Sequence, residues 1–239
     1  RMELFMYLDE EQIKPFIGLE KYNEQGKDLK TFLEEYDPKK YDNPCNTVDT
    51  CVFTYDKDVV VKRVLLIRRK NHPSIGMWAL PGGFVEYKED IDIAAMRELE
   101  EETGVKDIEA EQFKSYGAYD RDPRTRIITT AYAALIPDGS VNPVAGDDAR
   151  DTGWFDISDV REDIFIDENG IIHDKHCLTL TKSDDNSVVT TSHIEITYKK
   201  NAILKNVHYK VLDTQLLAAD HGAVVLEGYH YVCKKINEH

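Results

Sequence analysis

The chain has 239 residues, enough for one large domain or for a core domain with substantial additions. Hydrophobic residues make up 41% and charged residues 31%, a balance typical of a soluble globular protein. There is no long uncharged apolar run and no secretory signal pattern, so we expect neither a membrane span nor membrane binding. The formal net charge of −15, without a basic cluster, argues against nucleic acid as a partner.

The cysteines are scattered along the chain and form no CxxC pair. This pattern argues against a zinc site of the usual cysteine spacing and against a disulfide scaffold. A reducing compartment is the simplest explanation, and we therefore predict a cytoplasmic protein. The four residues are Cys45, Cys51, Cys177 and Cys233.

Residues 1–44 are predicted to form a helical extension before the core. One or two short helices are expected within 9–37, because apolar residues recur there and Asp9 can cap a helix with Gln12 three residues on. The two prolines of 37–44 indicate a linker.

The segment 45–159 is predicted to be the core and combines strands with one helix. The helix is expected at roughly 89–103, and Gly104 ends it as a glycine just beyond a helix commonly does. Runs rich in β-branched and apolar residues predict strands at 47–55, 59–69, 111–119 and 126–136, with a short extended piece at 154–157.

Two further segments complete the chain. In 160–210, the runs CLTLTK and HIEITYK flank the polar turn SDDN, which predicts an inserted β-hairpin. In 211–239, apolar residues recur at threes and fours over 213–236, which predicts a C-terminal helix.

The central helix and the loop before it concentrate acidic residues. The sequence from Gly83 to Val105 reads GFVEYKEDIDIAAMRELEEETGV. On a helix, Glu98, Glu101 and Glu102 lie at i, i+3 and i+4, so their carboxylates converge on one surface. Hard divalent cations compensate such a cluster best, because they prefer oxygen ligands. The alternative is an acidic helix face that water solvates.

Other residues of this segment support a built site. Gly82 and Gly83 lack Cβ atoms, so their backbone can approach a metal or a phosphate closely, and a simple tight turn is compatible with that role. Arg97 is placed to reach a neighbouring carboxylate and fix its rotamer. Every fourth residue from Ile91 to Leu99 is apolar, which gives the helix a side that can dock on a sheet.

This spacing resembles the Nudix box at each of its fixed positions. The resemblance implies an α/β fold, an α/β/α sandwich with a mixed β-sheet and the catalytic helix on one face. It also implies hydrolysis of a pyrophosphate bond by metal-activated water, Mg²⁺ as the cofactor with Mn²⁺ as a substitute, and a homodimer. The metal ligands carried over are Gly82, Gly83, Glu98, Glu101 and Glu102, and the catalytic residues are Arg97, Glu98, Glu101 and Asp148.

The general base is left open, because Nudix enzymes use either a glutamate of the box or an acid on a later loop. Asp148 lies six residues before Trp154, where some relatives carry an additional acidic ligand. An ordinary loop aspartate is the alternative for this residue.

Segments outside the box resemble ADP-ribose pyrophosphatases and the related NrtR-type regulators of NAD metabolism. They are GMWALPGGFV (76–85), RDPRTR (121–126), AGDDA before Trp154, and LLAADHGAVV (216–225). The resemblance implies a nucleoside diphosphate derivative as substrate, with ADP-ribose, cleaved to AMP and ribose 5-phosphate, preferred. ADP-sugars, dinucleotides and oxidised nucleotides stay open.

Candidate substrate residues follow from side-chain chemistry. Guanidinium groups suit phosphates and ribose hydroxyls, although a solvated loop is the alternative for 121–126. An aromatic ring could stack on adenine, and the alternative is core packing, which we favour for Phe113. The substrate-binding set is Trp78, Tyr119, Arg121, Arg124 and Arg126.

Two other classes of function compete with the enzyme. An NrtR-like regulator would keep the Nudix fold, often with a degraded box, and add a DNA-binding winged helix. This chain keeps each position of the box, and its later segment indicates a β-hairpin. The insertion at 160–210 could instead serve an interaction module, wall the pocket or extend a dimer interface.

Overall fold

The structure is a computed structural model and describes residues 7–146 and 149–238. The chain divides between Asn43 and Pro44 into two units. In the first unit, helix α1 spans Glu10–Ile13, a 3-10 turn spans Lys14–Phe16, and α2 spans Leu29–Glu35. The expected cap at the start of α1 is present, since the Asp9 carboxylate accepts the Gln12 N–H at 2.9 Å and the Gln12 side chain accepts the Asp9 N–H at 3.0 Å.

The second unit contains the sheet and the two longer helices. The helices are α3 at Ile91–Thr103 and α4 at His221–Glu238. The strands are β1 Cys45–Tyr55, β2 Val61–Arg69, β3 Trp78–Ala79, β4 Gly82–Phe84, β5 Glu111–Tyr116, β6 Ile127–Pro137, β7 Ala149–Ile166, β8 Ile171–Lys182, β9 Val189–Lys199 and β10 His208–Gln215. Among the described helices, none has the length and apolar character needed to cross a lipid bilayer.

Within the described residues, the strands form one mixed sheet in the order β10-β9-β8-β7-β2-β1-β6-β5. β1 and β6 run parallel, and the other neighbours in this order are antiparallel. The short strand β3 pairs with β2, and β4 pairs with β1. The pairing of β4 matters for the site, because it carries Gly82 and Gly83 to the edge of the central strands.

The two longer helices cover opposite faces of the sheet. Successive residues of a strand point to opposite faces, and Cys51 and Phe53 of β1 pack in the core cluster that includes residues of α4. Val52, between them, packs with Leu99 of α3. The predicted α/β/α sandwich with a mixed sheet is therefore confirmed.

Helix α3 docks through small and branched residues. Ala94, Ala95 and Leu99 are buried, whereas Ile91, expected on the same side, is exposed at the start of the helix. Gly104 ends the helix in the left-handed conformation, with φ 68°, and its N–H donates to the Glu100 carbonyl at 2.8 Å. A left-handed residue at this place is strained unless it is glycine, as the sequence predicted.

The C-terminal third contains more strand than we predicted. The expected hairpin is present as β8 and β9, but β7 is far longer than the short piece expected at 154–157. Strand β10 was not predicted, and the helix expected from 213 begins at His221. The residues of β10 are exposed or half-buried at the end of the sheet order, so their apolar pattern is weak.

Candidate active site

A cleft of about 360 Å³ lies where several elements of the second unit meet. Strands β1 and β4, helix α3, the loop 117–126 and the start of α4 all contribute to its lining. The polar residues that matter most are Asp49, Arg69, Glu98, Glu102, Arg121 and Asp220, and Gly82 and Gly83 form part of the wall.

Glu102 is the most buried acid of the box and faces β4. Its side chain accepts the N–H of Gly82 at 2.8 Å, and only 9% of the residue is exposed. Burial raises the pKa of Glu102 to about 8; the charge of Glu98 acts in the same direction, and the Gly82 hydrogen bond opposes it. The cleft therefore destabilises this carboxylate as an anion unless a cation lies beside it.

Glu98 lies one helical turn before Glu102 and is held by its neighbour in sequence. Nη1 of Arg97 donates to Oε1 of Glu98 at 2.8 Å. Burial raises the pKa of Glu98, although the Arg97 guanidinium opposes the shift. A Cβ atom at Gly83 would lie 2.4 Å from Oε2 of Glu98, so glycine is required for the carboxylate to occupy its position.

Arg97 binds carboxylates before it and after it in the sequence of the box. It binds Glu89 with two hydrogen bonds of 2.8 and 2.9 Å, and this lowers the pKa of Glu89 to about 2. The same guanidinium donates to Glu101 at 3.1 Å. Glu101 itself is exposed and does not line the cleft, so only Glu98 and Glu102 converge with the glycines there.

Asp49, a buried residue of β1, was not among the predicted site residues. Its side chain accepts the Thr129 hydroxyl at 2.7 Å and lies 3.7 Å from Nη2 of Arg121. Its charge contributes to the raised pKa of Glu102. No local pattern identified it, because a single aspartate in an apolar strand does not indicate which face of the sheet borders a cleft.

Basic groups line the same cleft. Arg69, the last residue of β2, and Lys70 after it line the cleft, and so does His221 at the start of α4. Nδ1 of His221 accepts the N–H of Leu80 at 3.0 Å, so the neutral ring carries its proton on Nε2. Carboxylates for a metal and cations for a phosphate are therefore present in one cavity, an arrangement suited to a diphosphate with divalent ions.

Comparison with known proteins identifies the family. A model described as NUDIX domain matches residues 46–174. The chain belongs to the Nudix family. The prediction of a Nudix pyrophosphohydrolase is confirmed with it. Nudix hydrolases generally use divalent metal ions, for which the carboxylate oxygens of Glu98 and Glu102 are chemically suited.

Individual relatives include both an enzyme and a regulator. The ADP-ribose pyrophosphatase of Methanocaldococcus jannaschii is 36% identical over 148 residues, which are 61% of this chain and 82% of that protein. The ADPR responsive transcriptional repressor NtrR of Acinetobacter baylyi is 41% identical over 107 residues, 44% of this chain and 42% of the repressor. The chain thus matches less than half of the repressor's length.

A solved structure resembles most of this Nudix chain. The MutT/nudix family protein from Enterococcus faecalis superposes with a TM-score of 0.60 and 31% sequence identity. The match covers 95% of this chain and 76% of that chain.

Three of the predicted substrate residues lie away from the Nudix cleft. Trp78 is buried and packs edge-on against Phe155, with ring centroids 4.7 Å apart. Tyr119 is 82% exposed, and Arg126 donates to the carbonyl of Ala118. The cleft lining includes none of these three residues. Core packing, which we favoured for Phe113, is observed, since its ring stacks on Tyr231 at 5.6 Å.

The other two predicted arginines do line the cleft. Both have acidic partners, Asp220 for Arg121 and Asp122 for Arg124, and the guanidinium carbon of Arg124 lies 5.2 Å from the ring centroid of Phe84. Phe84 is 44% exposed and lines the cleft, and sequence reasoning missed it as a binding residue. Its place directly after the two glycines of the box was the signal that could have identified it. The predicted acid Asp148 lies outside the described residues.

Proposed function

We propose that this Nudix protein hydrolyses ADP-ribose to AMP and ribose 5-phosphate, with Mg²⁺ as cofactor and Mn²⁺ able to replace it. The observation that carries the proposal is the buried Glu102 beside Glu98, Gly82 and Gly83 in a cleft that also contains cations. The M. jannaschii relative, named an ADP-ribose pyrophosphatase, supports the choice of substrate.

The carboxylates and the glycine loop are proposed to hold the metal. Glu98 and Glu102 supply hard oxygen ligands, and the open backbone at Gly82 and Gly83 lets a carbonyl join them. When bound, divalent ions activate water and neutralise the diphosphate. Arg97 keeps Glu98 in place and also donates to the carbonyl of Phe84, the residue after Gly83.

The proton acceptor for the attacking water is proposed among the remaining acids. Glu101 is exposed, accepts a hydrogen bond from Arg97, and stays a candidate base or outer metal ligand. Asp148 keeps its proposed role as an additional acidic residue. Replacing Glu101 and Asp148 one at a time and comparing the pH profiles of kcat would identify the base. Only the variant that lacks the base should lose one limb of the profile.

Substrate contacts are proposed from the residues that line the cleft. Arg69 and Lys70 are placed to contact phosphate oxygens. The exposed ring of Phe84, with Arg124 beside it, offers a stacking surface for adenine. Arg121 is proposed as a positioning residue, because its guanidinium is occupied by Asp220 and Asp49.

A substrate panel tests the assignment. The full chain with Mg²⁺ would be offered ADP-ribose, ADP-sugars, dinucleotides and oxidised nucleotides, with AMP and ribose 5-phosphate as the products followed. We expect the highest kcat/KM with ADP-ribose and complete loss with a chelator. A higher kcat/KM for another class would replace the substrate, and no cleavage of any diphosphate would overturn the proposal.

A homodimer in the cytoplasm, without a nucleic-acid partner, completes the proposal. The negative charge of the chain supports the absence of a nucleic-acid partner. Because a repressor is among the relatives, a gel-shift titration with duplex DNA is the direct test; a shift at physiological salt would favour the regulator. Mass measurement in solution tests the dimer.

A further inference from the structure

A second cluster of metal-binding side chains lies outside the cleft. Asp159 of β7, His176 of β8 and His230 of α4 each offer one ligand atom, and these atoms lie within 4.8 Å of one another. Nδ1 of His176 is 2.6 Å from Oδ1 of Asp159, and Nε2 of His230 is 2.9 Å from Oδ2. None of the three residues lines the Nudix cleft.

The outer nitrogen of each imidazole also has a partner. Nε2 of His176 lies 3.1 Å from Oδ1 of Asp174, and Nδ1 of His230 lies 3.0 Å from the hydroxyl of Tyr209. Histidine ligands of metals almost always use the second nitrogen in this way, because the outer hydrogen bond orients the ring and fixes its tautomer. Both rings are thus oriented with the inner nitrogen toward Asp159.

The hydrogen-bond partners of His176 leave room for a cation at one of its nitrogens. Its two nitrogens face two carboxylates, Asp159 and Asp174, but a neutral imidazole has only one N–H to donate. A second proton satisfies the arrangement, and so does a cation bound at Nδ1 with the proton kept on Nε2. Arg161 holds Asp174 with two hydrogen bonds of 2.8 and 2.9 Å, which fixes the outer carboxylate.

There is space for a further ligand beside the cluster. A cavity of about 460 Å³ borders all three residues, and Tyr198 and Lys205 are also part of its wall. His176 is buried, while Asp159 and His230 are half-buried and border the cavity together with it.

We propose that Asp159, His176 and His230 form a second metal site, for a divalent transition ion such as Zn²⁺. Two imidazole nitrogens and one carboxylate oxygen suit such an ion better than they suit Mg²⁺, which prefers oxygen alone. With three protein ligands, a coordination position stays open toward the cavity. The ion would join α4 to β7 and β8, because each of these elements supplies one ligand.

A neighbouring cluster provides an internal control. Glu162, Cys177 and His193 also offer ligand atoms within 4.8 Å of one another. Cys177 follows His176 on β8, so the two side chains point to opposite faces of the sheet. A metal bound there would have a thiolate ligand, whereas the proposed site has none.

Cobalt binding distinguishes these sites by spectrum. The full chain carrying Glu98→Gln and Glu102→Gln would be titrated with Co²⁺ in excess Mg²⁺, so that the Nudix cleft does not contribute. We expect visible d–d bands that saturate at one equivalent, no near-ultraviolet thiolate charge-transfer band, and loss of the bands when Zn²⁺ is added. Absence of bands, or a thiolate band that disappears with Cys177→Ser, would overturn the proposal.

Variants then test the individual ligands. His176→Gln and His230→Gln should each weaken Co²⁺ binding at least about 10-fold, while Cys177→Ser with His193→Gln leaves it unchanged. Circular dichroism of each variant checks folding, and Zn²⁺ should raise the thermal midpoint of the parent protein but not that of His230→Gln. Equal affinity in the parent and in His230→Gln, a half-buried position on the helix, would contradict the assignment.

Discussion

Arg121 and Asp220, 99 residues apart in the chain, form a two-bonded ion pair with both N–O distances at 2.9 Å. Oδ2 of Asp49 lies 3.7 Å from Nη2 of the same guanidinium group. The pair joins the loop 117–126 to the start of α4 and to β1, three of the elements that line the cleft. The shape of the cleft therefore depends on contacts between residues far apart in sequence.

Arg121→Ala should lower the free energy of unfolding by about 3 kcal/mol, because it leaves Asp220 and the buried Asp49 without their shared cation. Urea denaturation measures the change. Arg124→Ala is the matched control: its side chain is 44% exposed against 8% for Arg121, so we expect a loss below about 1 kcal/mol. Equal losses in the two variants would contradict the structural role given to Arg121.

Glu102→Gln should lower kcat for ADP-ribose by at least about 100-fold, since it removes a proposed metal ligand while keeping the side-chain shape. Steady-state kinetics over a Mg²⁺ titration measures the loss. Glu100→Gln is the control, two residues away on the same helix and exposed, and it should stay within about twofold. Full activity of Glu102→Gln would remove Glu102 from the metal site.

Gly83→Ala should lower the activity much more than the stability of the protein. The three atoms nearest the added Cβ, at 2.4 to 2.6 Å, all belong to the carboxylate end of Glu98, which is the flexible end of that side chain. We expect kcat to fall by about 10- to 100-fold with a small change in the thermal midpoint. Gly117→Ala, whose Cβ would meet neighbours at ordinary distances of 3.7 to 4.0 Å, serves as the control. A Gly83→Ala enzyme with normal kcat would show that Glu98 need not occupy its present position.

Phe84→Ala should raise KM for ADP-ribose by about 10-fold with little change in kcat, because stacking of a base on an aromatic side chain contributes about 1–3 kcal/mol. Phe165→Ala is a control of nearly equal exposure, at 43% against 44%, on β7 outside the cleft. A change confined to kcat, or the same KM shift in both variants, would argue against adenine stacking on Phe84.

The buried Tyr116 should make the protein less stable at high pH. Burial, together with the charge and hydrogen bond of Glu227, raises the pKa of Tyr116 above its ordinary value. Its contribution is full below the unfolded pKa of about 10 and decreases as the pH rises above it, by up to about 1.4 kcal/mol per pH unit. Free energies of unfolding between about pH 9 and pH 11 should show this slope reduced in Tyr116→Phe and kept in Tyr119→Phe, whose ring is exposed. An unchanged slope in Tyr116→Phe would show that Tyr116 does not cause this loss of stability.

Local signals predicted much of this molecule. The Asp9 and Gln12 cap, the helix ended by Gly104 and the hairpin of β8 and β9 each depend on residues close in sequence. The sequence placed the glutamates on the right helix but did not predict which of them face the cleft. Glu98 and Glu102 line it, whereas Glu101 is exposed beside Arg97.

Long-range contacts were not predictable from one sequence. Asp49 and Asp220 join the site through partners 80 and 99 residues away. Trp78 carried a plausible stacking ring, but the packing of β3 against the core buries it. Strand β10 and the second half of β7 consist of exposed and half-buried residues, so no continuous apolar run marks them as strands, although each pairs with a strand next to it in the chain.

Strand β7 has a consequence for any attempt to excise a minimal enzyme. Its 18 residues pair with β2 through Asp156 and with β8 from Phe155 onward, so one continuous ribbon belongs to both the catalytic sheet and its extension. Cutting the chain at Asp159 would strip β8 from this ribbon, expose unpaired amides along it, and remove the α4 side chains that cover the core. Such a fragment should aggregate by edge-to-edge pairing of the exposed strand. We therefore expect that the catalytic part of the sheet cannot be separated from strands β8 to β10.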